Sequence, residues 1–263
     1  MSDIPQVLAW QISHGGGPGP PLAIMLRAMA HREPRLPSTW ASPALTTSAT
    51  NVDIMAIMNT QNDAIHTVIF DLGGVYFSDG TKRAVKVLSS RFDLDEREVS
   101  DQLIGKLGSE WRMGKLTAEQ FWAKFKDRWK LTVSSDELSL IWFEGYELDR
   151  GTERVVTALS AAGHEVLYLS DNVPERVKYL EQRYHFLRNF SGGLFSFEIG
   201  VRKPDINIYR SVLKKASSKA AECLYIDDIV AFLHPAAALG MKTIHFRSSD
   251  QLTNDLLALG VPL

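Results

Sequence analysis

The feature that most constrains the fold is a short apolar run that ends in a carboxylate and a glycine turn. The run Val68–Phe70 has no polar interruption, and Asp71 follows it directly, before Gly73–Gly74. Such a run predicts a strand buried on both faces, as in a parallel sheet covered by helices. Ligands bind outside the carboxyl ends of the strands in open α/β sheets, so Asp71 is a candidate functional acid. On this stretch alone, an Asp that merely turns the chain or caps the next segment explains the pattern equally well.

Length and composition are those of an ordinary globular protein. The chain has 263 residues, 45% hydrophobic and 23% charged, which is enough for a sizeable core. The formal net charge is −2 and no basic run is longer than the one at Lys214–Lys215, which argues against a nucleic-acid surface. The single cysteine, Cys223, excludes an internal disulfide and predicts a buried, inert thiol. No apolar stretch is long enough to span a bilayer, so we expect no membrane partner and a soluble, cytoplasmic protein.

The N-terminal part of the chain differs from the rest. Residues 1–60 hold seven of the eleven prolines, a glycine- and proline-rich run and a patch rich in Ser, Thr and Ala. That composition cannot bury enough surface to order itself, so it predicts a disordered extension over residues 1–62. Arginines amid few acids are typical of an organelle-targeting segment, but Asp3, Glu33 and Asp53 break that pattern.

From His66 onward, strand-like and helix-like segments alternate. The later strand-like runs are residues 164–170, 193–198, 223–227 and 242–246. Helical patterns cover about residues 152–162, 174–184 and 205–216, and a further helix ends at Gly240. Strands separated by helices predict a parallel, doubly wound α/β sheet.

Residues 78–148 interrupt this alternation with a segment that is helical throughout. Three capping-box spacings predict helix starts in it: Asp95 with Glu98, Thr117 with Gln120, and Ser134 with Glu137. Four aromatic side chains recur at helical spacing on the second of these helices: Phe121, Trp122, Phe125 and Trp129. This stripe predicts the core of a small bundle, with direct contact between a ring and the substrate as the alternative. Because the segment leaves the core just after Asp71, it predicts a helical cap over the carboxyl edge of the sheet.

Polar residues stand at the ends of the other predicted strands. They are Ser170, Asp171 and Asn172 after the second strand, Lys203 after the third, and Asp227 with Asp228 after the fourth. Each alone is explained by a helix cap, a solvated loop cation or a turn. A doubly wound sheet brings them to one edge, where three carboxylates would repel one another unless a divalent cation, Mg²⁺ above all, lay between them. The hydroxyl, adjacent backbone N–H groups and the lysine would then hold a phosphate dianion.

These residues belong to four short motifs in a specific order. The motifs are Asp71–Val75, Leu169–Asn172, Gly200–Asp205, and Ile226–Asp228 with the subsequent Ala237–Met241. They resemble the four motifs of the haloacid dehalogenase superfamily, and the resemblance covers about residues 67–246. The insertion is similar to the small helical cap of the subfamily that contains sugar-phosphate phosphatases, the phosphatase domain of epoxide hydrolases and the haloacid dehalogenases themselves.

The resemblance implies a Rossmann-like core of residues 63–77 and 149–263, with residues 78–148 as the cap. It implies a Mg²⁺-dependent phosphatase that acts on a small phosphorylated metabolite, such as a sugar phosphate. Asp71 would be the nucleophile that forms an aspartyl-phosphate, and Lys203 would neutralise it and the phosphoryl group. The implied phosphate-binding residues are Ser170, Asp171, Asn172 and Lys203. The implied Mg²⁺ ligands are Asp71, the backbone carbonyl of Gly73, Asp227 and Asp228.

Two positions depart from the superfamily pattern. Most phosphatases of the superfamily carry a second Asp two residues after the nucleophile as general acid and base, whereas this chain has Gly73. A positioned acid or base contributes roughly a hundredfold to ten-thousandfold, so we expect a slow enzyme, a preference for good leaving groups or an acid supplied by the cap. Relatives usually place an Asn a few residues after the last motif's acids, where this chain has Phe232, so the support of the metal or the lysine is altered.

Two other functions stay open on the sequence alone. A 2-haloacid dehalogenase displaces halide from carbon and needs no metal, and the presence of both Asp227 and Asp228 counts against it. A phosphate-binding or interaction protein with weak catalysis is the other alternative, because Gly73 lacks the acid. The expected partner of the favoured phosphatase is a small phosphorylated substrate.

Overall fold

The computed structural model describes residues 64–263, so the extension predicted for residues 1–62 lies outside the described residues. Five strands form the core: β1 (Thr67–Phe70), β2 (Glu165–Ser170), β3 (Gly192–Phe195), β4 (Cys223–Asp227) and β5 (Lys242–His245). They make one sheet in the order β3-β2-β1-β4-β5, and all neighbouring strands are parallel. β1 is central, with Thr67 opposite Glu165 on one side and Cys223 on the other. The predicted parallel sheet is confirmed.

Helices surround this sheet. Those between β1 and β2 are α1 (Gly80–Phe92), α2 (Glu96–Ile104), α3 (Lys106–Arg112), α4 (Ala118–Trp129), α5 (Ser135–Glu144) and α6 (Arg150–Ala161). The later helices are α7 (Pro174–Tyr184), α8 (Ser196–Ile199), α9 (Ile206–Leu213), α10 (Val230–Ala238) and α11 (Ser249–Ala258). None of the helices in residues 64–263 combines the length and apolar character needed to cross a bilayer.

The two faces of the sheet pack into separate apolar clusters. Ile69 and Tyr225 belong to a cluster with residues of α9 and α10. Their strand neighbours Val68 and Ile226 belong to a larger cluster with residues of α6, α11 and the cap. Successive side chains of a strand point to opposite faces, so a strand covered by helices on both sides needs apolar residues at every position. The sheet is therefore doubly wound, as its uninterrupted apolar runs predict.

The inserted segment consists of α1 to α5. Three of its helices start at the predicted caps, where Asp95, Thr117 and Ser134 accept hydrogen bonds from backbone N–H groups of the first turn. At Thr117 the reciprocal bond from Gln120 completes a capping box. Helix α3 begins at Gly105 without a side-chain cap, which explains why capping patterns do not reveal it.

The aromatic stripe forms the core of the cap. Phe121, Trp122 and Phe125 are fully buried, and the ring centroids of Trp111 and Phe121 lie 4.5 Å apart. Trp129 is only partly buried at the edge of this cluster. Buried rings in such contact add packing energy beyond their apolar area. The interpretation of the stripe as core, rather than as a substrate surface, is confirmed for these three rings.

The predicted strand at residues 193–198 is shorter than expected. β3 ends at Phe195, and the chain continues into α8. The turn is held locally, because Oε2 of Glu198 accepts a hydrogen bond from the backbone N–H of Phe195 at 3.1 Å. It also buries Ser196 completely, where its hydroxyl accepts a hydrogen bond from Asn172 just after β2.

Candidate active site

The predicted site residues meet at the carboxyl edge of the sheet. Asp71 directly follows β1, Ser170 ends β2 and Asp227 ends β4, and these three strands are neighbours. Lys203 lies in the loop between α8 and α9. Most of these residues, with Asp228, line a cavity of about 200 Å³ whose other walls include residues of the inserted helices. The sheet therefore assembles residues that are far apart in the sequence.

Lys203 forms the electrostatic centre of the site. Its side chain is buried, and Nζ lies 2.9 Å from Oδ1 of Asp71 and 2.7 Å from Oδ2 of Asp227. Burial disfavours the ammonium form, but the attraction of Asp227 and Asp71 outweighs it and raises the pKa of Lys203. The lysine therefore carries its charge throughout the ordinary pH range.

Phe232 contacts the same ammonium group. The centroid of its ring lies 5.0 Å from Nζ of Lys203, and the residue lines the cavity. At this distance the face of an aromatic ring attracts a cation. At the position where relatives usually have an Asn, this chain thus supports the lysine with a ring instead of an amide.

Three carboxylates lie close together beside this lysine. Asp71, Asp227 and Asp228 each offer an oxygen within 4.8 Å of the others. Burial raises the pKa of Asp71, which Lys203 opposes, and burial together with the neighbouring Asp227 raises the pKa of Asp228. One ammonium group does not balance three carboxylates, so the cluster favours a further positive charge.

The donor atoms at this cluster fit Mg²⁺. Oδ1 of Asp228 is buried and has no hydrogen-bond partner within residues 64–263. The backbone carbonyl of Gly73 likewise accepts no backbone hydrogen bond in this part of the chain. Magnesium prefers hard oxygen ligands of these kinds. Asp71, Asp227 and Asp228 therefore form a group of carboxylates that could hold the predicted metal, with the Gly73 carbonyl as a further oxygen that has no backbone partner.

Gly74 is required by the position of Asp228. Its φ of +89° is a conformation that side-chain-bearing residues rarely adopt, and a Cβ added there would lie 2.4 Å from Oδ2 of Asp228. The glycine turn after Asp71 thus lets the backbone approach the carboxylate closely. This packing holds Asp228 beside the end of β1.

In the loop after β2, some polar side-chain groups form hydrogen bonds with the protein and others do not. The Ser170 hydroxyl and Nδ2 of Asn172 have no hydrogen-bond partner among the described residues. The carboxylate of Asp171 accepts bonds from the backbone N–H of Lys203 at 3.1 Å and from Nε of Arg202 at 3.0 Å. Ser170 therefore offers a donor to the cavity, whereas the Asp171 carboxylate holds the lysine loop in place.

Asn172 connects this loop to the rest of the site. Its backbone N–H donates to Oγ of Ser196 at 3.1 Å, and its Oδ1 accepts from Nε of Arg176 at 2.7 Å. Oγ of Ser196 in turn donates to the backbone carbonyl of Arg112 at 2.6 Å. The end of β2 is thereby tied to α3 of the inserted segment through one buried hydroxyl.

Three residues of this site were not predicted from the sequence. Arg112 and Arg176 are buried and line the cavity, and Tyr146 lies between the inserted segment and the core. Nη1 of Arg176 donates to the Tyr146 hydroxyl at 2.8 Å, and that hydroxyl is also hydrogen-bonded to Oγ1 of Thr81 at 2.7 Å. The available signal was weak: Arg176 stands four residues after Asn172 in the first turn of a helix.

Tyr146 also lies beside the position of the missing acid. A Cβ built on Gly73 would be 3.5 Å from Cε1 of Tyr146, an ordinary van der Waals contact. A Cβ at position 73 therefore meets no clash, and the ring of Tyr146 forms the wall next to it.

The sequence of this chain matches a known protein family. The sequence model described as a haloacid dehalogenase-like hydrolase matches residues 65–240 of this chain. A match of this extent covers the strands that carry the site and the whole inserted segment.

The individual proteins that resemble this chain have sequence identities of about one third or less. An uncharacterised protein of Dictyostelium discoideum is 31% identical over 142 residues, which are 52% of this chain and 61% of that protein. A sesquiterpene phosphatase of Aspergillus oryzae is 31% identical over 84 residues, 32% of this chain and 43% of the relative. The chain thus spans less than two thirds of the length of these relatives. A HAD family enzyme of Bacteroides thetaiotaomicron, solved in complex with magnesium and inorganic phosphate, superposes with a TM-score of 0.62 at 19% identity, covering 70% of this chain and 96% of that one.

Proposed function

The chain belongs to the family of haloacid dehalogenase-like hydrolases, and we propose that it is a Mg²⁺-dependent phosphatase of a small phosphorylated metabolite, such as a sugar phosphate. The observation that carries the proposal is the arrangement around Lys203, whose Nζ contacts both Asp71 and Asp227 at the wall of one cavity. A carboxylate at the end of the central strand, a buried cation and a further acid with one carboxylate oxygen unpaired within residues 64–263 suit metal-assisted phosphoryl transfer to an aspartate.

In the proposed first step, a carboxylate oxygen of Asp71 attacks phosphorus. The new bond from phosphorus to Asp71 forms as the ester P–O bond breaks, and the leaving alkoxide takes a proton from solvent or from an acid in the cavity. Water then attacks the phosphorus of the aspartyl-phosphate, which releases inorganic phosphate and restores the carboxylate. Lys203 stays bound to Oδ1 of Asp71 and attracts the phosphoryl oxygens, while Ser170 donates its free hydroxyl to them.

Bound Mg²⁺ would neutralise the carboxylates and the phosphoryl oxygens during both steps. Asp71, the Gly73 carbonyl, Asp227 and Asp228 would hold it. Two proteins that resemble this chain support the proposal. One is named a sesquiterpene phosphatase, and the other, the Bacteroides enzyme, was solved with magnesium and inorganic phosphate bound.

Gly73 determines the expected rate. With no carboxylic acid at this position, protonation of the leaving group and activation of water both lack their usual catalyst. The proposed enzyme is therefore slow with alkyl phosphates and faster with esters whose leaving group needs no proton.

The buried carboxylates also bear on the alternative of 2-haloacid dehalogenation. That reaction takes place at a neutral carbon centre and needs no metal. Oδ1 of Asp228, which is buried without a hydrogen-bond partner within residues 64–263, would then stay uncompensated, at a cost in stability. In the proposed phosphatase this oxygen holds the metal.

The test is hydrolysis of p-nitrophenyl phosphate with Mg²⁺ and again with EDTA. We expect metal-dependent release of p-nitrophenol by the native protein and none by Asp71→Asn. Asp136→Asn changes an exposed carboxylate of α5 and serves as the matched control. No turnover over a broad panel of phosphate esters would contradict the proposal, and metal-independent chloride release from 2-chloropropionate would favour the dehalogenase.

A further inference from the structure

Two arginines of the cavity are buried without an acidic partner. Arg112 is 6% exposed and Arg176 is 2% exposed. In the part of the chain that the structure describes, neither forms a salt bridge, whereas Arg202 at the same cavity pairs with Asp171. Buried charges in proteins are normally paired, because an unpaired charge loses its hydration without compensation. Two such cations side by side therefore need an explanation.

The guanidinium group of Arg176 is largely occupied by the protein. Its Nε donates to Oδ1 of Asn172 at 2.7 Å, Nη1 donates to the Tyr146 hydroxyl at 2.8 Å, and Nη2 approaches the carbonyl of Asp171 at 3.3 Å. These acceptors are neutral groups that hold the loop after β2. Arg176 is thus a positioning residue that contributes its charge to the cavity.

Arg112 differs because most of its donors are free. Nη1 donates to the carbonyl of Leu103 at 2.7 Å, and this is the only hydrogen bond of the guanidinium within residues 64–263. A guanidinium has five N–H groups, so several remain available. The backbone of this residue is held by Ser196, whose hydroxyl donates a hydrogen bond to the Arg112 carbonyl.

The surroundings of Arg112 are positively charged. Its guanidinium carbon and that of Arg176 lie 5.2 Å and 4.8 Å from the centroid of the same ring, Trp142. Burial and the neighbouring Arg176 lower the pKa of Arg112 to about 10, so it is still a cation at neutral pH. An anion between the two arginines would relieve both the repulsion and the loss of hydration.

The phosphoryl group that reacts is expected elsewhere, beside Asp71. Lys203 and Ser170 at the strand ends supply its donors. Arg176 is close enough to Asp71 for that carboxylate to favour its charged form, whereas the groups that act on the pKa of Arg112 are Arg176, Tyr146, Arg202 and Asp171. Arg112 comes from the inserted helix α3 rather than from a strand end, and it belongs to the part of the cavity wall that the cap supplies.

We infer that Arg112 binds a second anionic group of the substrate, a carboxylate or a second phosphoryl group, carried on the leaving alcohol. This inference rests on the proposed phosphatase function and specifies its substrate class. The flat fork of an arginine matches either oxyanion with two parallel hydrogen bonds. A cavity of about 200 Å³ restricts the substrate to a small molecule, such as a phosphorylated hydroxy acid or a short bisphosphate.

The experiment compares phosphate esters that differ only at the far end. Each has a chain of two to four carbons that ends in a hydroxyl, a carboxylate or a second phosphate. We expect kcat/KM for a carboxylate or bisphosphate ester to exceed that of its hydroxyl counterpart by about tenfold or more, which is the worth of one charge-assisted hydrogen bond. The arm with the larger preference identifies which anion is bound.

Substitution of Arg112 then tests whether this residue causes the preference for anionic esters. In Arg112→Gln the ratio of anionic to neutral ester should fall to about one, and in Arg112→Lys, which keeps the charge without the fork, it should be intermediate. The lysine variant also decides the matter if the glutamine variant does not fold. Arg128→Gln removes an exposed cation from α4 and should keep the native ratio.

The outcomes separate the two proposals. Turnover of p-nitrophenyl phosphate with no preference for any anionic ester would overturn the second-anion site and leave the phosphatase intact. If no ester is turned over, calorimetry on Asp71→Asn still decides, with inorganic phosphate compared to the short bisphosphates. Tighter binding of a bisphosphate that is lost in the additional variant Arg112→Gln supports the site, and equal affinity overturns it.

Discussion

Nζ of Lys203 lies 2.9 Å from Oδ1 of Asp71, and both side chains are almost completely buried. The same ammonium group also contacts Asp227, so one cation holds two strand ends together. Removing one member of a buried ion pair is costly because the other charge stays behind without a partner. The relationship therefore links the proposed chemistry to the stability of the fold.

Replacing Lys203 with Met should affect both properties. We expect phosphatase activity to fall by at least about a hundredfold, as for the loss of one positioned electrostatic donor. We expect the free energy of unfolding to fall by about 3–5 kcal/mol at neutral pH. This deficit should shrink as the pH falls, because burial raises the pKa of Asp71 and the protonated carboxyl needs no counter-charge.

Urea unfolding at two pH values measures the effect of Lys203→Met. Lys124→Met, which removes an exposed cation from α4, should stay within about 0.5 kcal/mol of the native protein. A deficit that is equal at neutral and acidic pH would show that the ion pairs are not its cause.

Magnesium should stabilise the folded protein through Asp228. The carboxylate oxygen of Asp228 that lacks a partner is available to the ion, and a ligand at a hundredfold excess over its Kd stabilises by about 2.7 kcal/mol. The midpoint temperature of thermal unfolding should therefore rise when Mg²⁺ is added and fall back to its metal-free value when EDTA removes the ion. Asp228→Asn should lose this shift and Asp136→Asn should keep it, so an unchanged shift in Asp228→Asn would place the ion elsewhere.

An acid at position 73 should increase the rate. A Cβ at this position would make only an ordinary van der Waals contact with the ring of Tyr146. We expect Gly73→Asp to raise kcat for alkyl phosphates by about a hundredfold, with a smaller gain for p-nitrophenyl phosphate. Gly73→Asn has the same shape but transfers no proton. Equal rates for the two variants would mean that the missing acid does not limit turnover.

The buried hydroxyl of Ser196 should contribute to stability. It accepts from the backbone of Asn172 and donates to the backbone of Arg112, and the Ala variant would leave both groups unsatisfied. We expect Ser196→Ala to lose about 1–3 kcal/mol in urea unfolding. Ser211→Ala, whose hydroxyl makes an exposed hydrogen bond to the carbonyl of Asn207 in the same helix, is the matched control and should change little. Equal effects would contradict a special role for this link.

The strand ends could be predicted because their signals are local. An apolar run that stops at Asp71 or at Asp227 marks both a buried strand and the point where it leaves the sheet. Capping residues such as Thr117 fix helix starts in the same way, since donor and acceptor lie within one turn. The parallel sheet then brings these ends to one edge without further information.

The arginine part of the site could not be predicted, because it depends on contacts between distant segments. Arg176 meets Tyr146 across 30 residues, and Ser196 meets Arg112 across 84. Arg112 lies on α3, a helix that lacks a side-chain cap, and its neighbours in the sequence indicate only a core helix. The packing of the inserted helices against the core decides which of their charges reach the cavity.

The central claim is that Asp71 carries the phosphoryl group during turnover. Because Gly73 leaves the aspartyl-phosphate without a base to activate water, p-nitrophenyl phosphate should convert the native protein to this form faster than water removes it. The most direct measurement is mass spectrometry of acid-quenched protein after incubation with p-nitrophenyl phosphate and Mg²⁺. The account predicts a phosphoryl increment on the peptide that contains Asp71, absent with EDTA and in Asp71→Asn. Turnover by Asp71→Asn at the native rate, with no increment in the native protein, would contradict it.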